Sequence, residues 1–160
     1  MPHFPLSLHL VAVGRMKDAN LAAACKNYLD RLRRYLEVEV KESRDSIGKG
    51  RRDDEAMEQE GRALRRLLRP GAWVLSLTID GDSFSSEQFA ALLQQYQEEG
   101  RRELDFVIGG PLGLSAEVIE CSHLRLSLSP MTFSHELARL ILLEQLYRAC
   151  TILKGEKYHK

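Results

Sequence analysis

The sequence predicts a single α/β domain with a mainly parallel sheet flanked by helices. Short apolar runs alternate with segments of helical periodicity about five times along the 160 residues. No internal repeat or linker interrupts this alternation, so we expect one domain over residues 1–160. Hydrophobic residues make up 44% and charged residues 29% of the chain, as is ordinary for a globular protein.

The first half of the chain predicts two strands and two helices. We expect residues 1–7 to form a flexible extension before the first strand. The polar segment Ser43–Asp53 has a basic centre and predicts a mobile loop, and Pro70 and Gly71 end the helix that follows. The predicted elements are a strand over Leu8–Val13, a helix from Asp18 to Leu36, a strand over Glu37–Lys41 and a helix over Glu55–Arg69.

The second half predicts three more strands, each followed by a helix. Ser85 and Gln88 have the spacing of a capping box, which fixes where one of these helices begins. The predicted elements are a strand over Trp73–Ile79 ended by Asp80-Gly81-Asp82, a helix from Ser85 to about Glu99, a strand over Leu104–Ile108, a short helix from Ser115, a strand over Leu124–Leu128 and a long helix over His135–Cys150.

Three loops follow the predicted strands and are the first places to look for a ligand. Parallel sheets bind ligands beyond the carboxyl ends of their strands, which here are followed by Asp80–Ser83, Gly109–Gly113 and Ser129–Ser134. The glycines of the second loop allow close approach of a ligand to the backbone. The loop lacks the dinucleotide-binding pattern, and the chain has no P-loop. Its own residues leave two interpretations open, a tight turn or a binding site.

The last helix is apolar around nearly its whole circumference. Such a helix must be covered on all sides, and a second subunit covers a terminal helix most easily, so we expect a homodimer. Burial inside one subunit is the alternative. Glu144 and Arg148 are four residues apart on this helix and can form an ion pair, for which we favour a structural role over a catalytic role for Glu144.

Charge and cysteine content limit the possible partners. The formal net charge is +0, so any RNA contact must be local or shared between subunits. The basic C-terminal end and the basic loop Lys49–Arg52 are candidate RNA contacts, with a solvated surface as the alternative for each. Cys25, Cys121 and Cys150 indicate reduced thiols in a cytoplasmic protein. We expect no metal and no membrane association, because no two histidines have ligand spacing and no apolar run is long enough to span a bilayer.

Five segments of the chain, taken in order, are similar to one known family. They are Leu10–Gly14, Val107–Gly113, Leu126–His135, Leu143–Ala149 and Gly155–Lys160. Together they resemble the bacterial ribosomal RNA large subunit methyltransferase H family, of the SPOUT superfamily. The likeness runs from about Leu8 to the last residue, and several motifs in the same order make chance agreement improbable.

The resemblance implies a SPOUT-type sheet with a C-terminal trefoil knot, a homodimer packed through its last helices, and S-adenosylmethionine as methyl donor. The implied substrate is N3 of pseudouridine 1915 in helix 69 of 23S ribosomal RNA, on the assembled 70S ribosome. The positions that the resemblance assigns to cofactor binding are Leu77, Gly109, Gly110, Leu128, Ser129, Pro130, Met131, Thr132 and Phe133.

The C-terminal segment supplies the catalytic candidates. Arg148 is suited to clamp a phosphate or stabilise a ring oxyanion, His159 to accept a proton or bind phosphate, and Tyr158 to stack on a base. In a dimer this tail would cross to the partner's cofactor. Three alternatives stay open: a SPOUT methyltransferase acting on another RNA such as transfer RNA, a non-catalytic ribosome-binding module, and a flavodoxin-like nucleotide or flavin binder.

Overall fold

The computed structural model describes residues 3–44, 50 and 52–160 and shows a five-stranded sheet. The strands are β1 (Ser7–Val13), β2 (Glu37–Ser43), β3 (Trp73–Ser83), β4 (Glu103–Ile108) and β5 (Leu124–Ser127). The helices are α1 (Ala19–Leu32), α2 (Asp53–Leu67), α3 (Ser86–Glu98), α4 (Ala116–Glu120) and α5 (His135–Lys154). Neighbouring strands of the sheet pair in parallel, which confirms the predicted α/β fold.

The strand order is β2-β1-β4-β3-β5. A flavodoxin-like sheet has the order 2-1-3-4-5, so the positions of the third and fourth strands are exchanged here. This exchange removes the fold-level support for a flavodoxin-like binder. The trefoil knot stays a prediction.

The two faces of the sheet have separate cores because side chains alternate along each strand. On β1, Leu8 and Leu10 belong to the larger core, which α1, α3 and α5 cover. Val11 and Val13 point to the opposite face and pack in a smaller core with residues of α2 and α4. The sheet is therefore the middle layer of three, and its carboxyl edge is left for the loops.

A buried ion pair ties the segment after α2 to the amino edge of the sheet. Nη2 of Arg69 donates to Oδ1 of Asp105 over 2.6 Å, and the backbone N–H of Arg69 donates to Oδ2 over 2.8 Å. The same guanidinium donates to Oγ of Ser7 over 2.8 Å. Asp105 is fully buried, so these contacts replace the water that its carboxylate would otherwise require.

The expected N-terminal extension is shorter than the sequence suggested. Ser7 begins β1, Leu6 is 3% exposed, and the N–H of Phe4 donates to the carbonyl of Tyr35 over 2.8 Å. The apolar side chains of Phe4 and Leu6, which precede the strand, therefore pack in or against the core. Residues 1 and 2 of this segment, and 45–49 and 51 of the predicted basic loop, lie outside the described residues.

Two other boundaries differ from the sequence prediction. α1 ends at Leu32, and Leu36 lies in the turn before β2, where it is still buried. Asp80-Gly81-Asp82 does not end the third strand but lies inside β3, because both Leu77 and Asp82 pair with Leu126 and the residues between them bulge out. The predicted capping box is confirmed, with the Ser85 side chain accepting from the N–H of Gln88 over 3.1 Å.

Much of the burial of α5 comes from its own chain. The helix packs against both α1 and α3, and Leu142, Leu143 and Leu146 are fully buried there. These three residues need no second subunit to cover them, and the homodimer stays a prediction. Leu137 and Ile141 remain half-buried and outside that core. Across residues 3–44, 50 and 52–160, no helix is long and apolar enough to cross a bilayer.

Candidate functional site

A cavity of about 640 Å³ opens at the carboxyl edge of the sheet, beyond β3, β4 and β5. Eight of the nine residues predicted for cofactor binding line it: Leu77, Gly109, Gly110, Leu128, Ser129, Met131, Thr132 and Phe133. Pro130 is exposed and is not among the lining residues. Two of the three loops singled out in the sequence, Gly109–Gly113 and Ser129–Ser134, therefore line one site, whereas no residue of Asp80–Ser83 lines it.

The glycine turn after β4 has a conformation that other residues would disturb. A Cβ atom on Gly109 would lie 2.8 Å from the backbone carbonyl carbon of Gly113. This distance is shorter than a Cβ atom adopts in proteins, so any other residue would force the turn to shift. Gly113 has a φ of 84° and donates its N–H to the carbonyl of Gly110 over 2.9 Å. The close approach and the positive φ explain why glycines occupy positions 109 and 113. Because glycines have no side chains, the backbone of the turn itself lines the cavity.

The bulge in β3 forms a second wall of the cavity. Oγ of Ser127 donates to the carbonyl of Ile79 over 2.9 Å, which holds the bulge against β5. A Cβ atom on Gly81 would lie 2.6 Å from the carbonyl oxygen of Arg125, so this close approach needs glycine. The side chains of Ile79 and Met131 are 52% and 74% exposed at the cavity, an apolar rim with open access.

The amino end of α5 forms a third wall, of which the sequence singled out Ser134 but assigned no role to His135 or Ala138. Ser134 caps the helix by accepting from the N–H of Leu137 over 3.3 Å, and both Ser134 and His135 line the cavity. Nδ1 of His135 is buried and has no hydrogen-bond partner among the described residues. The sequence placed His135 at the start of the last helix, directly after the loop Ser129–Ser134, and that position was the signal for a residue of the site.

The three catalytic candidates form one network, in which two of them contact Glu144 on α5 and the third contacts Arg148. Nη2 of Arg148 donates to Oε1 of Glu144 over 2.6 Å, and the hydroxyl of Tyr158 donates to the same oxygen over 3.0 Å. Nη1 of Arg148 lies 3.1 Å from Nδ1 of His159. The guanidinium carbon of Arg148 also lies 4.7 Å from the centre of the Tyr158 ring. The predicted pair of Glu144 with Arg148 is thus confirmed within a larger network.

The network holds its members in defined charge states. Burial is the largest cause that raises the pKa of Tyr158, and hydrogen bonds with Tyr28 and Glu144 raise it further. The hydrogen bond with Glu144 is the main cause that raises the pKa of Arg148. Tyr158 therefore stays protonated and donates, while Arg148 stays cationic. A contact of 2.6 Å between Nε2 of His159 and Oε1 of Glu87 lowers the pKa of that glutamate.

Within one chain, the network and the cavity lie toward opposite ends of α5. None of Arg148, Tyr158 and His159 lines the cavity. His135 at the cavity and Arg148 in the network are thirteen residues apart on the helix, about 20 Å at a rise of about 1.5 Å per residue. In the part of the chain that the structure describes, no three His, Cys, Asp or Glu side chains are grouped so that they could hold a metal ion.

Comparison with known proteins gives a consistent result along the whole chain. The family model described as "Predicted SPOUT methyltransferase" matches residues 6–159. A protein of Desulfotalea psychrophila named "Ribosomal RNA large subunit methyltransferase H" is 41% identical over 152 residues, covering 94% of this chain and 97% of the relative. A protein of the same name from Pelotomaculum thermopropionicum is 42% identical over 154 residues, covering 94% and 96%.

The fold is also similar to a solved structure of low sequence identity. The crystal structure of a TrmH/SpoU tRNA modifying enzyme from A. aeolicus superposes with a TM-score of 0.55 at 15% identity. The match covers 96% of this chain and 80% of that one. This likeness is one of architecture, and the resemblance seen in the sequence motifs is confirmed by the family model and the relatives.

Proposed function

The chain belongs to the SPOUT methyltransferase family, together with the ribosomal RNA large subunit methyltransferase H proteins, and from this membership we propose that it transfers a methyl group from S-adenosylmethionine to large-subunit ribosomal RNA. The observation that carries the proposal is the cavity at the carboxyl edge of the sheet, which eight predicted cofactor residues line. The match covers 97% and 96% of two relatives, so the proposal rests on likeness over nearly the full length of those proteins.

The cavity suits S-adenosylmethionine in size and in lining. Its volume of about 640 Å³ lies in the range of small-molecule sites. Leu77, Leu128 and Phe133 offer apolar surface, and the glycine turn offers backbone groups that no side chain covers. When bound, this cofactor supplies an electrophilic methyl group, so the protein has to hold the acceptor in line with it and manage one proton.

The catalytic network reaches a cavity only if two chains combine. Leu137 and Ile141 lie on the same stripe of α5 as Glu144 and Arg148, and none of these four is fully buried by its own chain. Two such helices packed antiparallel along this stripe would bury it and bring the tail of each chain to the cavity of the other. A homodimer with composite sites, built around a trefoil knot that holds the cofactor, is therefore part of the proposal.

The proposed target is N3 of pseudouridine 1915 in helix 69, on the assembled 70S ribosome in the cytoplasm. His159 accepts the N3 proton at Nδ1, the ring nitrogen that faces Arg148 in the free protein, as the cationic guanidinium turns to the negative charge that develops on the ring oxygens of the substrate. Tyr158, which stays protonated, offers its ring as a stacking surface for a base. With S-adenosylmethionine bound, the N3–CH3 bond would form as the S–CH3 bond breaks, S-adenosylhomocysteine would leave as the neutral product, and the N3 proton would pass through His159 to solvent.

The decisive experiment is methyl transfer from labelled S-adenosylmethionine to ribosomes from a strain that lacks this activity. Free subunits and transfer RNA serve as parallel substrates. We expect label in large-subunit RNA of assembled ribosomes alone. Label in transfer RNA would favour the alternative of a SPOUT methyltransferase that acts on another RNA. A protein that binds ribosomes but shows no heat of binding for S-adenosylmethionine in calorimetry would favour a non-catalytic binding module.

The composite site has its own test, in which two impaired variants are mixed at a cofactor concentration too low to saturate the Gly109→Ala protein. One carries Gly109→Ala in the cavity, and the other carries Arg148→Ala with His159→Ala in the network. After partial denaturation and joint refolding, a mixed dimer holds one intact composite site, so we expect activity to return to a fraction of the wild-type rate. No recovery, with dimers present in both preparations, would contradict a site shared between chains.

A further inference from the structure

A second concave surface lies on the face of the sheet opposite α5, between the end of β2 and α2. We call it the α2 groove. Its volume is about 590 Å³. The residues that matter for its chemistry are Ser43 and Arg44 from the end of β2 and Gln59, Arg62 and Arg66 from α2.

Three arginines give the α2 groove a local positive charge in a chain whose formal net charge is +0. Arg44, Arg62 and Arg66 are exposed, and none forms an ion pair or side-chain hydrogen bond within the described residues. Other arginines of the same region are engaged, since Arg65 pairs with Glu117 and Arg69 with Asp105.

The single carboxylate among the lining residues does not cancel this charge. Glu42 lines the groove, but its carboxylate accepts a hydrogen bond from Arg139, whose side chain is 3% exposed. Arg139 also donates to the carbonyl of Gly14 over 3.1 Å, so it is fixed on the α5 side of the sheet. The negative charge of Glu42 is thus balanced by Arg139 on the opposite face of the sheet, and it does not neutralise the arginines of the groove.

Two polar atoms of the α2 groove are buried and lack partners among the described residues. They are Oγ of Ser43 and Oε1 of Gln59. Buried polar atoms without partners cost free energy, and a ligand that hydrogen-bonds with them removes that cost. A hydroxyl such as that of Ser43 can donate to a phosphate oxygen, and an amide oxygen such as that of Gln59 can accept from a ribose 2′-hydroxyl.

We propose that the α2 groove binds the sugar–phosphate backbone of RNA, with Arg62 and Arg66 on phosphates and Gln59 on a ribose. Guanidinium groups are suited to phosphate, and such contacts fix an RNA in register without reading its sequence. This inference rests on the proposed RNA substrate but concerns a surface separate from the cavity, so RNA binding tests it without any methyl transfer.

The position of the α2 groove fits contact with RNA that also enters the cavity. Ser43 ends β2, and Gly109 follows β4, two strands away in the sheet order. At a strand spacing of about 4.8 Å, the ends of these two strands are about 10 Å apart along the carboxyl edge, and Arg62 and Arg66 of the groove follow α2 away from that edge. An RNA that delivers a base to the cavity can therefore place neighbouring phosphates in the groove. Because α2 and α5 cover opposite faces of the sheet, a dimer packed through α5 leaves the groove open.

The test is fluorescence anisotropy with a labelled hairpin RNA and a DNA hairpin of the same sequence, at salt concentrations from about 50 to 200 mM. The variant is Arg62→Gln with Arg66→Gln. Its matched control is Arg33→Gln with Arg65→Gln, which removes the same charge from two exposed arginines that already have carboxylate partners. Calorimetry with S-adenosylmethionine and thermal unfolding accompany each protein.

We expect the Arg62/Arg66 variant to bind the RNA at least tenfold more weakly and to lower the slope of log Kd against log salt by about 2, one for each lost phosphate contact. The control should stay within about twofold of the wild type, and cofactor binding should be unchanged in both. Gln59→Leu should reduce the preference for RNA over DNA.

Equal weakening in variant and control would overturn the proposal, because it would show an effect of overall charge alone. Equal binding of RNA and DNA by the wild type would also overturn it. A protein that binds RNA through the α2 groove but transfers no methyl group would refute the proposed function and leave the groove assignment in place.

Discussion

Arg148 and His159 are in contact across the end of α5: Nη1 of the arginine lies 3.1 Å from Nδ1 of the histidine. Because a guanidinium only donates, the ring nitrogen that faces it must accept, which leaves Nε2 to carry the proton in the neutral ring. Nε2 faces Oε1 of Glu87 over 2.6 Å. The contact therefore fixes both the orientation and the tautomer of a residue proposed to move a proton.

The first prediction concerns His159→Ala. Methyl transfer to ribosomes should fall by about 10²–10⁴, the usual contribution of a proton-transfer group. Cofactor affinity measured by calorimetry should not change, because His159 does not line the cavity of its own chain. His3→Ala removes another histidine and should leave the rate unchanged. A His159→Ala enzyme with the wild-type rate would remove this residue from the mechanism.

The second prediction concerns Gly109→Ala. The added Cβ would meet the backbone of Gly113 at 2.8 Å, so the turn must shift. A shift of this kind costs about 1–3 kcal/mol, and we expect S-adenosylmethionine to bind about 5- to 150-fold more weakly in calorimetry. Gly71→Ala is the control, since it strains a turn with a φ of 80° but meets no atom within 4 Å and does not line the cavity. Similar affinity losses in both variants would contradict a specific role for the glycine turn.

The third prediction concerns stability. Asp105→Ala leaves the guanidinium of Arg69, whose side chain is 17% exposed, without its buried partner. We expect the free energy of unfolding, measured with urea, to fall by about 3–5 kcal/mol. Asp30→Ala removes an exposed pair with Lys26 and should cost less than about 1 kcal/mol. If the two variants lost similar stability, the buried pair would not be the tie between α2 and the sheet.

The fourth prediction is a pH dependence. Burial raises the pKa of the Cys150 thiol from 9.0 to about 12. A raised pKa in the folded state means that the proton favours folding, so this stability is complete below pH 9 and is lost as the pH rises toward 12. The free energy of unfolding should fall in that window by up to about 1.4 kcal/mol per pH unit from this group.

Cys150→Ala separates this effect from other alkaline titrations. The variant loses packing at every pH, but its stability should decline less steeply above pH 9 than that of the wild type. Cys121→Ala is the control, because Cys121 is only half-buried and its thiol should contribute a smaller slope. Parallel curves for the wild type and Cys150→Ala would show that this thiol is not protonated preferentially in the folded protein.

Several features of the site followed from local sequence. A buried strand followed by glycines predicted the turn at Gly109, and the spacing of Ser85 and Gln88 predicted the start of α3, because caps and turns depend on neighbouring residues only. The resemblance supplied the loop from Leu128 to Phe133, whose residues, except Pro130, line the cavity. The bulge in β3 was missed, since a bulge depends on the pairing of Leu77 and Asp82 with the same residue of another strand.

The α/β class, the approximate elements and the family could be predicted from sequence alone, because periodicity, caps and motifs lie in short segments. The strand order and the burial of α5 by α1 and α3 emerged from the three-dimensional packing. So did the network in which Arg148 and Tyr158 contact Glu144 and His159 contacts Arg148. The same packing puts this network toward the opposite end of α5 from His135 and the cavity. These relationships join segments that are far apart in the sequence. The distances between such segments are set by how the whole chain packs into one core and not by local conformational preference.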